Sequence, residues 1–196
     1  MTGIDRVPLF IVVIAPNYYK TSRLVFMRRK ILLTSFDTWL PHQISNSSDD
    51  LLERVSQLDC LPSSLTFLRK LPVDFELAPA LALAKIEELQ PDIILCCGMA
   101  EGREKLTIES RAVCGNDTLQ TSVDLEKIIL GLSVTEISHE AGKFVCEALY
   151  YSVLNLCSSS CSQSQCIFVH VPILKDENLE QILADFLLII RRVDFF

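Results

Sequence analysis

Short apolar runs that alternate with amphipathic helical windows constrain this chain more than any other feature. Residues 31–36, 92–97 and 166–171 are compact, largely unbroken apolar stretches. Such runs read as strands buried on both faces of a parallel sheet. Residues 65–73, 105–113 and 132–137 read as three further strands. Helical spacing predicts helices over 49–58, 75–89, 123–130, 142–156 and 177–192. In the second of these, Leu77, Leu81, Leu83, Ala84 and Ile86 are expected to face inward. Residues 98–103 read as a loop. Strands alternating with helices of this length imply βαβ units. The expected fold is therefore α/β: one three-layer α/β/α sandwich whose twisted, mixed but mainly parallel sheet is flanked by helices. Sites in such sheets form outside the carboxyl ends of strands. Gly98, the 137–141 segment and His170–Val171 fall at such ends.

With 196 residues, 49% of them hydrophobic, one domain with a large core is expected. A formal net charge of -7 argues against nucleic acid as the main partner, because phosphate neutralisation needs clustered cations. Several of the eight cysteines lie inside apolar runs, as reduced core thiols of a cytoplasmic protein do. Cys157, Cys161 and Cys166 lack a nearby histidine pair, so no metal site is expected. Residues 7–15 are apolar but too short to span a membrane, and no clear cleavage site follows them. We expect residues 1–26 to be a non-essential extension and residues 27–196 to form the working domain.

The chemistry concentrates in Ser138-His139-Glu140-Ala141-Gly142-Lys143-Phe144-Val145-Cys146 and in Val169-His170-Val171-Pro172. A small-residue turn opens a helix and places a thiol in its first turns. There the helix dipole favours a thiolate. A glycine before the thiol lets backbone N–H groups approach a substrate and serve as oxyanion donors. His170, at a strand end, is the candidate base, and Glu109 the carboxylate that orients it. Each has a plain structural alternative. Cys146 could be a buried small hydrophobe, His170 a satisfied core histidine, and Glu109 a surface partner of Arg103 or Arg111. His139, seven residues before Cys146, is a second candidate base.

These stretches resemble the pyroglutamyl peptidase I family, cysteine peptidases that remove N-terminal pyroglutamate. The resemblance runs from about Lys30 to the C-terminus. It is carried by Lys30-Ile31-Leu32-Leu33-Thr34-Ser35-Phe36-Asp37, by Gln90-Pro91-Asp92 through Gly98-Met99-Ala100-Glu101-Gly102-Arg103, by Leu106-Thr107-Ile108-Glu109, and by the Ser-x-x-Ala-Gly-x-x-x-Cys and His-Val-Pro patterns. It implies a triad of Cys146, His170 and Glu109. It also implies substrate contacts from Phe36, Trp39 and Phe144, and loop or oxyanion roles for Gly98, Gly102 and Gly142. No cofactor is implied. The implied partner is a small peptide with an N-terminal pyroglutamate, and the resemblance leaves room for a homo-oligomer, dimer or tetramer.

The chain also departs from the family pattern. Its opening loop, Ser35-Phe36-Asp37-Thr38-Trp39-Leu40-Pro41, keeps Phe36 and has Trp39 where the second aromatic would stand, but both family glycines are gone. Ser110, Cys114 and Glu147 replace a usual arginine and two asparagines, and the 109–138 span is shorter. Two other functions therefore stay open: a thiol amidohydrolase for a different small acyl group, and a catalytically weak binding relative.

Overall fold

The computed structural model describes residues 29–58, 64–158 and 163–195. The expectation for residues 1–26 therefore falls outside the described residues. Six strands form one sheet: β1 (Ile31–Phe36), β2 (Leu65–Leu71), β3 (Ile93–Met99), β4 (Leu106–Glu109), β7 (Thr135–Ser138) and β8 (Gln165–Val171). Their order is β2-β1-β3-β8-β4-β7. All neighbours run parallel except β4 and β8, which are antiparallel. The expected α/β sandwich with a mixed, mainly parallel sheet is what the chain adopts.

Helices α1 (Ser47–Ser56), α3 (Leu125–Ile129) and α5 (Leu179–Phe195) contribute to a core on one face. Helices α2 (Leu77–Leu89) and α4 (Val145–Cys157) cover the other. Side-chain alternation sends Leu95, Cys97 and Val169 to the first face and Cys96 and Phe168 to the second. The candidate site forms on the second face.

Several local expectations are corrected. The single strand expected over 105–113 is two strands. β4 ends at Glu109, and β5 (Arg111–Cys114) pairs with β6 (Asp117–Gln120) in a separate hairpin, with Gly115 at φ +61 in its turn. The break at Ser110 frees β4 from the hairpin and lets Ser110 N–H bond Ser138 O instead. The inward face of α2 is Ala78, Pro79, Ala82 and Ile86, while Leu77 and Leu81 are exposed. Small residues there let α2 lie close to α4, a choice that hydrophobicity counting does not see. Helix α4 begins at Val145, three residues later than expected, because Gly142 sits at φ +97 and cannot continue into a helix.

Two buried carboxylates fix the frame. Asp49, in the first turn of α1, accepts from Ser35 Oγ at 2.7 Å and from both arms of Arg69 at 2.8 Å, so the end of β1 is tied to β2. Asp185 on α5 accepts from Val134 N–H and Thr135 Oγ and so anchors the edge strand β7. Among the described residues, no helix is long and apolar enough to cross a membrane.

Candidate active site

The site is built where β3, β8 and β4 run side by side. Gly98 lies opposite His170 in the β3–β8 pairing, and Thr107 lies opposite His170 in the β4–β8 pairing. Glu109 pairs with Phe168, one pleat further down the sheet. Because β4 runs against β8, Glu109 reaches His170 across the face of the sheet and not from a shared strand end. Residues opposite each other in an antiparallel ladder share a face, so the carboxylate and the imidazole point the same way. His170 Nδ1 and Glu109 Oε1 are 2.8 Å apart, with Glu109 wholly buried and His170 nearly so. Tyr150 on α4 donates to Glu109 O at 2.8 Å and locks the helix onto this strand.

Cys146 is the second residue of α4. Its sulfur sits directly over Gly98: a Cβ at that glycine would lie 2.6 Å from Cys146 Sγ and 2.9 Å from Phe168 Cζ. Gly98 is thus the seat of the thiol, and the seat adjoins His170. The N-cap of α4 is Phe144, whose side chain makes no cap hydrogen bond. Glu147 N–H already bonds Phe144 O at 3.0 Å, so the Val145 and Cys146 N–H groups are the ones at this helix start that can meet a ligand's oxygen. We predict that Gly98→Ala lowers kcat about 10–100-fold by displacing the sulfur, and lowers the melting temperature because the Phe168 ring is buried and cannot move aside. Steady-state kinetics and thermal melts check both effects.

Burial pushes the Cys146 thiol up to about 12, and Cys96 and Glu109 add to the rise; the thiol's own backbone N–H and Arg103 pull the other way. Desolvation thus works against the thiolate that the helix N-terminus favours, although Cys146 is only half-buried. Burial also holds His170 below its ordinary value, despite the hydrogen bond it donates to Glu109, which works to raise it. Burial works to raise the Glu109 carboxyl, yet hydrogen bonds with His170, Ser138 and Arg103 hold it below the usual range. These directions favour a neutral imidazole beside a carboxylate. An ionised Glu109 requires the imidazole proton on Nδ1, which leaves Nε2 as an acceptor.

Beside the sulfur is a cavity of about 190 Å³ lined by Phe36, Trp39, Leu40, Val73, Met99, Phe144 and Cys146, among others. The Trp39 and Phe144 rings stand 4.6 Å apart, and Phe75 meets Phe144 edge-on at 5.5 Å. The glycine-free opening loop is held by Gln43 instead. Its Oε1 accepts from Trp39 and Leu40 N–H, and its Nε2 donates to Glu101 at 2.6 Å. This brace joins the loop after β1 to the loop after β3. Gln43, Glu101, Val73 and Arg103 escaped the sequence reading as site residues. Arg103 stands in the sequence reading within a family-like loop and as a rival partner for Glu109, whereas it bonds Glu109 together with His170.

The remaining residues fall into place less uniformly. Gly142 occupies the left-handed region two residues before Phe144. Gly102 has open space around it and does not line the aromatic cavity. His139 is exposed; its Nδ1 is 2.7 Å from Ser110 Oγ, away from the thiol's seat. Among the described residues, no group of three or more His, Cys, Asp or Glu is arranged to hold a metal.

The chain is similar to known proteins in sequence and in fold. Over 181 residues the chain is 26% identical to the pyrrolidone-carboxylate peptidase of Bacillus amyloliquefaciens, covering 79% of this chain and 83% of that one. It is 28% identical over 171 residues to the enzyme of that name from Thermoanaerobacter pseudethanolicus, covering 74% and 83%. In fold it is similar to the crystal structure of pyroglutamyl peptidase I from Bacillus amyloliquefaciens, with a TM-score of 0.75 at 21% identity over 87% of this chain and 97% of that one. A variant of the Pyrococcus furiosus pyrrolidone carboxyl peptidase gives 0.71 at 20% identity, over 84% and 97%. The sequence model of pyroglutamyl peptidase matches residues 29–131, more than half of the chain. On that match, the chain belongs to the pyroglutamyl peptidase family of cysteine hydrolases.

Proposed function

We propose that this protein removes N-terminal pyroglutamate from peptides, with Cys146 as nucleophile, His170 as base and acid, and Glu109 as orienting carboxylate. One observation carries the reading: the Cys146 sulfur rests on Gly98, beside the His170–Glu109 pair and at the edge of an aromatic-walled cavity. Cys146 and His170 lie beyond the span of the family match, so their geometry nominates them.

The thiol proton passes to His170 Nε2 as the sulfur attacks the pyroglutamyl carbonyl. The transfer belongs to the attack step, when substrate has displaced water from the cavity. First-turn N–H groups of α4 face the developing oxyanion. The imidazolium then gives its proton to the departing amine, leaving a thioester. A water activated by His170 hydrolyses that thioester and frees pyroglutamate. Glu109 stays ionised throughout and stabilises the imidazolium. The flat lactam is held by the aromatic walls of Phe36, Trp39 and Phe144. A reducing, cytoplasmic setting suits a thiol nucleophile.

The test is release of a fluorophore from a pyroglutamyl-fluorophore amide, with loss of activity on treatment with iodoacetamide. Absence of turnover, with Cys146 still alkylated, would favour an amidohydrolase for another acyl group. Within this reading, Trp39→Ala raises KM about tenfold with kcat changed little, because the half-exposed indole stacks on Phe144 but touches no reacting atom. Michaelis–Menten analysis on the same substrate separates the two constants.

A further inference from the structure

Arg103 stands in the turn between β3 and β4, where its own N–H closes the turn onto Ala100 O at 3.1 Å. Its guanidinium is partly buried and makes three hydrogen bonds. Nη1 donates to Thr107 Oγ1 and to Glu109 Oε1, and Nη2 donates to Glu140 O at 2.9 Å. The oxygen that takes the Arg103 proton is the one that bonds His170 Nδ1. The other oxygen, Oε2, is buried and finds no hydrogen-bond partner of good geometry among the described residues. Two donors converge on this one oxygen, so both set the carboxylate's torsion.

We propose that Arg103 is a positioning residue of the hydrolytic site: by clamping Glu109 Oε1 and the Glu140 carbonyl with one guanidinium, it fixes the imidazole of His170 against the turn that carries Cys146. This inference rests on the hydrolytic reading above. Glu140 begins the 140–144 segment, in which Gly142 turns the chain and Phe144 caps α4. Release of its carbonyl loosens the approach to Cys146, while release of Oε1 lets the carboxylate turn away from the imidazole. Lysine could supply the charge but not the planar fork.

The charge has a second consequence. The ionisable groups around the His170 imidazole are Glu109 from β4, Arg103 from the β3–β4 turn and Cys146 from α4. Arg103 opposes protonation of His170, whereas Glu109 favours it. Removing Arg103 while keeping Glu109 therefore shifts the balance toward imidazolium.

The experiment compares wild type, Arg103→Met and Arg103→Lys by steady-state kinetics on the pyroglutamyl-fluorophore amide and by NMR titration of the histidines. The sequence has three histidines, so His170 is assigned directly. Arg103→Met should lower kcat about 10–100-fold with KM within about threefold, and raise the His170 midpoint by about half a unit or more. Arg103→Lys should keep that midpoint near wild type yet stay about tenfold down in kcat, since charge returns without the fork. An unchanged kcat in Arg103→Met overturns the proposal. So does lost turnover with an unmoved His170 midpoint, which marks a merely structural role. If Arg103→Met does not fold, Arg103→Lys decides alone, and wild-type kcat in that variant sinks the clamp. If wild type does not cleave the substrate, the hydrolytic reading fails, while the His170 midpoints still report on the Arg103 clamp.

Discussion

Cys146→Ala abolishes hydrolysis of the pyroglutamyl-fluorophore amide, with kcat/KM falling at least about 10⁴-fold, while the melting temperature stays within a few degrees of wild type. The two halves of this expectation have separate causes. The sulfur is the only candidate nucleophile seated beside the His170–Glu109 pair among the described residues, so its loss removes the covalent route altogether. Alanine favours helix and leaves Gly98 uncrowded, so the fold has little reason to change. Cys146→Ser is the sharper companion. Its hydroxyl fits the same seat but is a far poorer nucleophile, so its kcat/KM should also fall at least about 10³-fold; full activity in the serine variant would remove the sulfur from the mechanism. Alkylation by iodoacetamide must be mapped by mass, because Cys114 is exposed and labels without blocking the site. A protein alkylated at Cys114 alone should keep its turnover.

The parts of the site that travel with local pattern were readable from residues alone. A turn glycine before a helix cysteine, an apolar strand ending in histidine and a carboxylate in a neutral strand each carry their chemistry in their neighbours. The bonds that join them are non-local. His170 and Glu109 are 61 positions apart and meet only because β4 inserts antiparallel beside β8. No short window encodes that insertion. The brace from Gln43 to Glu101 spans 58 positions and holds an opening loop that lacks the family's glycines. The electrostatics of the thiol are non-local for a related reason. The dipole of α4 is visible in sequence, but the desolvation that opposes it depends on Gly98 and Phe168 of other strands. The exposed leucines of α2 show the same limit: packing distance to α4 selects Ala78 and Ala82 over the larger side chains.

Glu109 offers the second large effect, and two substitutions separate its roles. In Glu109→Leu the imidazole loses its acceptor, Arg103 loses its carboxylate, and neither loss is compensated in a wholly buried position. Nδ1 then has no reason to hold the proton, the wrong tautomer competes, and kcat/KM should fall about 10³–10⁴-fold. Stability should fall too, because the guanidinium left behind is partly buried. Glu109→Gln is milder for a reason specific to this geometry. Arg103 and His170 both donate to Oε1, so the amide oxygen is selected for that position and the Nδ1–H tautomer survives. The amide nitrogen falls where Oε2 was, beside the Ser138 hydroxyl that can accept from it. Only the negative charge is lost, and with it the stabilisation of the imidazolium that forms during attack and amine departure. We expect Glu109→Gln to lose about 10–100-fold in kcat, with KM nearly unchanged. The His170 midpoint should move down, since the hydrogen bond and charge that support imidazolium are weakened. The acid limb of kcat/KM then shifts to lower pH even as the plateau falls. Equal losses in the two variants would mean that the charge alone matters and that the shared Oε1 does not direct the tautomer.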